Sequence, residues 1–317
     1  MAFRLPRLTR STARAATVGL ALVVLVSACS TEFISQNILT TEPEANGIEP
    51  AGYGLYLTNG NDYPVDETAS ALAEIDRSPG GDRALVIFVH GMGDYPGKAY
   101  RWETLARMEE QYPADVLMLH WPSWIDFRTI PRGNAAASGA YLGAVLEQLQ
   151  AALAEDEDLA ARPRILLLHS LGAEVLRGFL EDYDGGLRSD LLDSVVLAAP
   201  EVDLAGHADW LERLDFATTV YVLQNENDRV LNVVKLHENE ARLGMHRTHL
   251  DGREEPLASN AVYIDIGPGS RRHRYFVQRQ SACLAAIFDM IAEGDPTVTR
   301  TDHVELVQRP NVYVVTN

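Results

Sequence analysis

The sequence predicts an α/β fold on a doubly wound, mostly parallel sheet, and two observations carry that expectation. Six short apolar runs recur along the chain, at 84–90 (ALVIFVH), 115–121 (DVLMLHW), 164–169 (RILLLH), 193–199 (DSVVLAA), 218–224 (TTVYVLQ) and 261–266 (AVYIDI). Each has the length of a strand and is nearly continuous in apolar residues, as strands buried on both faces must be. The stretches between them repeat apolar residues at helical spacing, and alternation of strand and helix puts helices on both faces of a parallel sheet.

The elements follow in chain order. Tyr53 to Thr58 supplies one leading strand, because the chain before residue 84 is too short for a full set. Residues 136–153 read as a helix with Tyr141, Leu142, Val145, Leu146 and Leu149 on its apolar face, and 171–180 and 276–291 read likewise. Cys283 falls inside the last of these as a small core residue. The connection 200–217 is too short for a large lid domain. The long, charge-rich stretch 225–260 is the better place for a lid or specificity element. After Gly294, "NVYVVT" reads as an extra strand, so 295–317 is a C-terminal extension to a catalytic-sized domain at 51–294.

The N-terminus reads as a targeting segment. Arg4, Arg7, Arg10 and Arg14 precede the apolar run Ala15 to Val26, which is too short to span a bilayer, a task that takes about 20 residues. Small residues then lead to Cys29. Residues 1–28 are thus expected to be a signal peptide, and polar 29–50 a tether. The ending "VSAC" resembles a bacterial lipobox, which implies lipidation at Cys29 and attachment to the envelope. Ser30 follows the cysteine, where an Asp would signal inner-membrane retention. This favours the outer membrane, facing the periplasm.

Composition bounds the partners. Of 317 residues, 46% are hydrophobic and 23% charged, an ordinary soluble balance that allows a sizeable core. The net charge of −18 repels phosphate backbones and argues against a nucleic-acid partner. Oligomeric state is not legible.

In a doubly wound sheet, ligands bind beyond the carboxyl ends of the strands, so chemistry is sought just after each one. "HGMGDYP" follows the first strong strand, Ser170 the third, "NENDRVL" with Glu226 and Asp228 the fifth, and "GPGSRRHRYF" with His273 the sixth. Ser, Asp and His arise in the order used by serine hydrolases of this architecture. A serine hydroxyl is a weak nucleophile until an imidazole, oriented by a carboxylate, takes its proton. A sharp strand-to-helix turn would expose it and aim amides at a developing oxyanion, with Leu171 N–H and Met92 N–H as the two donors. Alternatives stand beside each residue: Ser170 as a helix cap, Asp203 or Glu226 as the acid, His303 as the base. His90, His169, Trp121 and Trp124 are expected around the substrate pocket, the two histidines shaping it. The segment 121–131 (WPSWIDFRTIP) serves equally well as a pocket wall, a membrane-facing surface or packing. His246 and His249 lack further ligands nearby, so neither metal nor cofactor is expected.

The motifs "FVHGMG", "HWPS", "LLLHSLG", "VVLAAPEVD", "NENDRVL", "ARLGM" and "HRYF" together resemble the α/β-hydrolase superfamily, over about residues 84–292. The resemblance is greatest to a bacterial esterase/lipase-like branch of unknown function. It implies a serine-hydrolase site of Ser170, Asp228 and His273 and no particular substrate. Hydrolysis of ester bonds through an acyl-enzyme is the expectation, with thioesters and amides open to the same chemistry. Leu168 departs from the pattern, which wants a small residue two before the serine. A catalytically idle scaffold serving as an envelope binding module is the alternative that this departure leaves.

Overall fold

Each of the six apolar runs becomes a strand of one sheet: β3 (Ala84–Val89), β4 (Ala114–His120), β5 (Arg164–His169), β6 (Leu192–Ala198), β7 (Ala217–Gln224) and β8 (Ala261–Asp265). In the computed structural model, residues 53–76, 83–93, 100–124, 129–238, 240–245, 255–268, 270, 272–277, 281–295, 298–300, 302–306 and 311–316 are described. The expected signal peptide, Cys29 and the tether lie outside them, as do His246 and His249.

These six strands run parallel in the order β4-β3-β5-β6-β7-β8. Two short strands, β1 (Gly54–Leu57) and β2 (Asp62–Tyr63), extend the sheet antiparallel beyond β4. At the other edge β10 (Val312–Val315) lies parallel to β8, with β9 (Val304–Leu306) antiparallel outside it. The chain thus steps to one side of β3 and then crosses to β5 on the other. That reversal opens a crevice at the carboxyl ends of β3 and β5, the usual ligand position of such sheets.

The continuous apolar runs feed two cores at once. In β3, Leu85, Ile87 and Val89 face one helix layer, whereas Ala84, Val86 and Phe88 face the other. The first layer contains α1 (Thr68–Asp76), α3 (Arg132–Ala137), α4 (Gly139–Glu155) and α6 (Gly172–Asp182). The second contains α2 (Tyr100–Gln111) and α9 (Ala282–Ala292). Fully buried leucines such as Leu85, Leu166 and Leu197 each contribute about 1.5–3 kcal/mol. Short helices α5 (Glu157–Ala161) and α7 (His207–Leu211) fill connections.

One expectation needs correction. The last helix starts at Ala282, not Phe276, with the Ser281 hydroxyl accepting from Leu284 N–H at 3.3 Å. Phe276 is buried in a turn instead, its ring 5.7 Å from that of Phe88 and its carbonyl taken by the Tyr112 hydroxyl. Tertiary anchoring overrides the helical period there. Where it is described, the stretch 225–260 is tied to the domain. It forms α8 (Arg229–Glu238) and a buried 3-10 turn, Leu243–Met245, strapped to the sheet ends by Asn225 N–H to Gly244 C=O (2.7 Å) and Gly244 N–H to Pro200 C=O (3.0 Å).

Candidate active site

The turn between β5 and α6 is sharp because Ser170 sits at φ +54°, the left-handed region that an L-residue enters only under constraint. The constraint is visible. Ser170 N–H donates to Ala198 C=O at 3.0 Å, and its own carbonyl accepts from Ala173 N–H (3.1 Å) and Glu201 N–H (3.0 Å). Its side chain is not a helix cap: α6 begins behind Leu171 without a side-chain capping bond. A strained, unshared hydroxyl at the end of a central strand fits chemistry better than capping.

Two glycines permit the close approach. A Cβ on Gly172 would lie 2.6 Å from Val89 O and 2.9 Å from His90 O. A Cβ on Gly91 would lie 2.9 Å from Ser170 Cβ. The β3 and β5 turns therefore pack backbone to backbone. Gly172→Ala is expected to lower stability by about 1–3 kcal/mol, the usual range for overpacking, because the opposing atoms are main chain. An unshifted thermal midpoint would show that the strand end yields freely. Leu168, two residues before the serine, pairs with Val89 on β3. It is fully buried among the core leucines, and the crossing glycine sits on the other side of the serine.

The expected acid and base come together. His273 Nδ1 lies 2.7 Å from Asp228 Oδ2, and Asp228 is fully buried. Its other oxygen accepts from Val230 N–H (2.9 Å) and Leu231 N–H (3.2 Å), so the carboxylate caps α8 while it holds the imidazole. The rivals lie elsewhere. Asp203 pairs with Arg242, and Glu226 offers its main-chain carbonyl to Asn232 at 3.3 Å. His303 borders β9 at the sheet edge, where its carbonyl accepts from Thr316 N–H at 2.8 Å.

His273 is seated on the serine turn through His169. Their ring centroids are 4.6 Å apart, and Phe276 flanks His169 at 4.8 Å. Burial first, then the nearby His273, holds the His169 pKa well below the ordinary 6.5, against a weaker opposing influence from the His273 backbone. His169 therefore stays neutral beneath His273. Tyr275 braces the same region: its hydroxyl accepts from Ala199 N–H at 2.6 Å and donates to Leu223 C=O at 3.3 Å. Ala199 is itself at φ +50°.

Among the described residues, neither Met92 N–H nor Leu171 N–H has a hydrogen-bond acceptor, whereas the adjoining Gly93 N–H is taken by Ser123 C=O at 3.1 Å. The loop carrying Met92 is fixed from below. His90 Nε2 and His120 Nδ1 are 2.8 Å apart, His90 Nδ1 lies 2.8 Å from Gly91 O, and Trp121 Nε1–H donates to His90 C=O at 2.8 Å. With Nδ1 donating to the carbonyl, His90 Nε2 is the acceptor and His120 Nδ1–H its donor. His90 and Trp121 are both fully buried. They shape the loop and form no pocket surface, in correction of the expected role of Trp121. Trp124 is half-buried. Residues 125–128 lie outside the described set.

Residues 67–280 match the family model described as "Alpha/beta hydrolase of unknown function (DUF900)". The chain belongs to this alpha/beta-hydrolase family. The match takes in Ser170, Asp228 and His273. Among solved structures, similar folds include a cold-adapted esterase from an Arctic intertidal metagenomic library, at 15% identity and TM-score 0.35, covering 62% of this chain and 77% of that one. Esterase B from Lactobacillus rhamnosis is 11% identical with TM-score 0.39, covering 93% and 98%. The type II thioesterase YbtT of yersiniabactin biosynthesis is 17% identical with TM-score 0.36, covering 70% and 96%. No curated protein matches the chain.

Sequence reasoning did not reach three features of this alpha/beta hydrolase: the His90–His120 pair, the Tyr275 brace, and a cluster of charges around Glu201. The "HWPS" and "APEVD" motifs contain two of these residues, yet nothing in either motif names their partners. Among the described residues no group of His, Cys, Asp and Glu could hold a metal ion.

Proposed function

We propose that the protein is a serine hydrolase of carboxylic esters. The observation that carries this reading is the buried Asp228–His273 pair, with His273 packed on His169, the residue before a serine at φ +54°. Ser170 Oγ attacks the ester carbonyl carbon while its proton passes to His273 Nε2. His273 Nδ1–H stays on Asp228, which fixes the tautomer and stabilises the imidazolium. Met92 and Leu171 N–H receive the oxyanion. The leaving alcohol takes the proton from His273, and the acyl group remains on Ser170. Water, deprotonated by His273, then attacks the acyl carbon; the bond to Ser170 Oγ breaks, His273 returns the proton to that oxygen, and the carboxylic acid leaves. Thioesters and amides differ only in the leaving group.

A panel of acyl esters of graded chain length tests the reading on the purified domain. Turnover with a chain-length optimum supports it, and no turnover of any ester contradicts it.

We further propose that the mature protein is anchored by lipid at Cys29 in the bacterial envelope, facing the periplasm. The lipobox-like "VSAC" supports this. Cys29→Ala is expected to leave the protein unanchored or unprocessed in cell fractionation. Wild-type protein found soluble and without lipid would end the proposal.

A further inference from the structure

Arg132 opens α3 directly after the aromatic segment, and its guanidinium joins two distant elements. Nη1–H donates to the Glu201 carbonyl at 3.2 Å, and Nη2–H to Glu201 Oε1 at 2.7 Å. The same group reaches Glu238, with Nη2–H to Oε2 at 2.8 Å and Nε–H to Oε1 at 3.4 Å. Each partner is tied to the candidate triad. Glu201 N–H donates to the Ser170 carbonyl. Glu238 ends α8, whose first turn is capped by the Asp228 carboxylate. A helix of ten residues is a stiff rod about 15 Å long, so holding its end sets the seat of its first turn.

We infer that Arg132 is a positioning residue: by bridging Glu201 and Glu238 it fixes the serine turn relative to the helix that presents Asp228. The inference rests on the proposed triad. A guanidinium suits the task because its planar fork supplies several donors at fixed angles, which a lysine ammonium does not. The surroundings are built for it. Arg242 pairs with Glu238 and Asp203 from the other side. Glu201 is almost fully buried and faces Arg132, Arg242 and His273. Burial pushes the Glu201 carboxyl up, and Arg132, first among its neighbours, opposes the shift, so Arg132 also favours the charged carboxylate that it bonds.

The test uses Arg132→Lys and Arg132→Ala in the purified protein, with two readouts. The first is steady-state hydrolysis. kcat is expected to fall about 10- to 100-fold, the cost of a misplacement near 1 Å, with KM little changed. Added guanidinium ion, at concentrations far below denaturing, is expected to restore part of the loss in Arg132→Ala. The second is the low-field proton resonance of His273 Nδ1–H in ¹⁵N-histidine-labelled protein. It is expected to be sharp in wild type, broadened in both variants, and sharpened again by guanidinium. A KM rise at constant kcat would assign Arg132 to substrate binding and overturn the inference. Variants with wild-type kcat and an unchanged resonance would overturn it too. Should Arg132→Ala fail to fold, Arg132→Lys decides. Should wild-type protein hydrolyse no ester, the resonance still decides, so the two proposals fail separately.

Discussion

Replacing Ser170 with Ala is expected to abolish hydrolysis by roughly 10³-fold or more while leaving the fold intact. The activity loss follows from chemistry: without Oγ no acyl-enzyme forms, and only the amide donors and the binding cleft remain. Stability should hold because the Ser170 side chain caps nothing, and the bonds that fix the turn run through its backbone N–H and C=O. Ser170→Gly is an informative companion. It removes the same hydroxyl and also relieves the backbone at φ +54°, so it should be inactive yet at least as stable as Ser170→Ala. A helix cap would behave in the opposite way, costing about 1 kcal/mol of stability when lost and leaving turnover untouched. Calorimetry and ester hydrolysis on the same preparations separate the two.

Asp228→Asn is expected to slow turnover by about 10³- to 10⁴-fold, the scale on which loss of tautomer control acts in serine hydrolases. The amide is nearly isosteric and still accepts from Val230 and Leu231 N–H, so α8 keeps its cap and the fold should survive. What changes is the bond to His273 Nδ1, now 2.7 Å from a carboxylate oxygen. An amide NH₂ in that place donates, which drives the imidazole proton to the other nitrogen and removes the acceptor that Ser170 needs. kcat measured with circular dichroism checks both halves. Near-wild-type activity would remove Asp228 from the triad.

The strands and the serine turn were legible because both depend on local pattern. Burial on two faces forces continuous apolar runs, and a serine behind such a run stands out against the helix that follows. Asp228 and His273 were legible for the same reason, each lying just behind a strand. The remainder depends on contacts that sequence does not display. Arg132 meets Glu201 and Glu238 across separations of 69 and 106 residues. The start of α9 shifts because Phe276 is held by Phe88 and Tyr112, partners more than 160 residues away. Helix α8 hides in a charged stretch because only part of its surface is buried, with Leu231 inside and Leu236 left exposed. Trp121 reads as a pocket wall beside other aromatics, and only the fold shows its indole holding the His90 carbonyl beneath the Met92 loop.

A serine-directed fluorophosphonate asks of the molecule itself whether Ser170 is a nucleophile activated by His273. Incubated with folded wild-type protein and followed by peptide mass spectrometry, the probe is expected to leave one adduct, on Ser170, at a rate that rises as His273 loses its proton and falls in Asp228→Asn. No adduct, or an adduct on a different serine, would contradict the account and leave the fold as a scaffold without this chemistry.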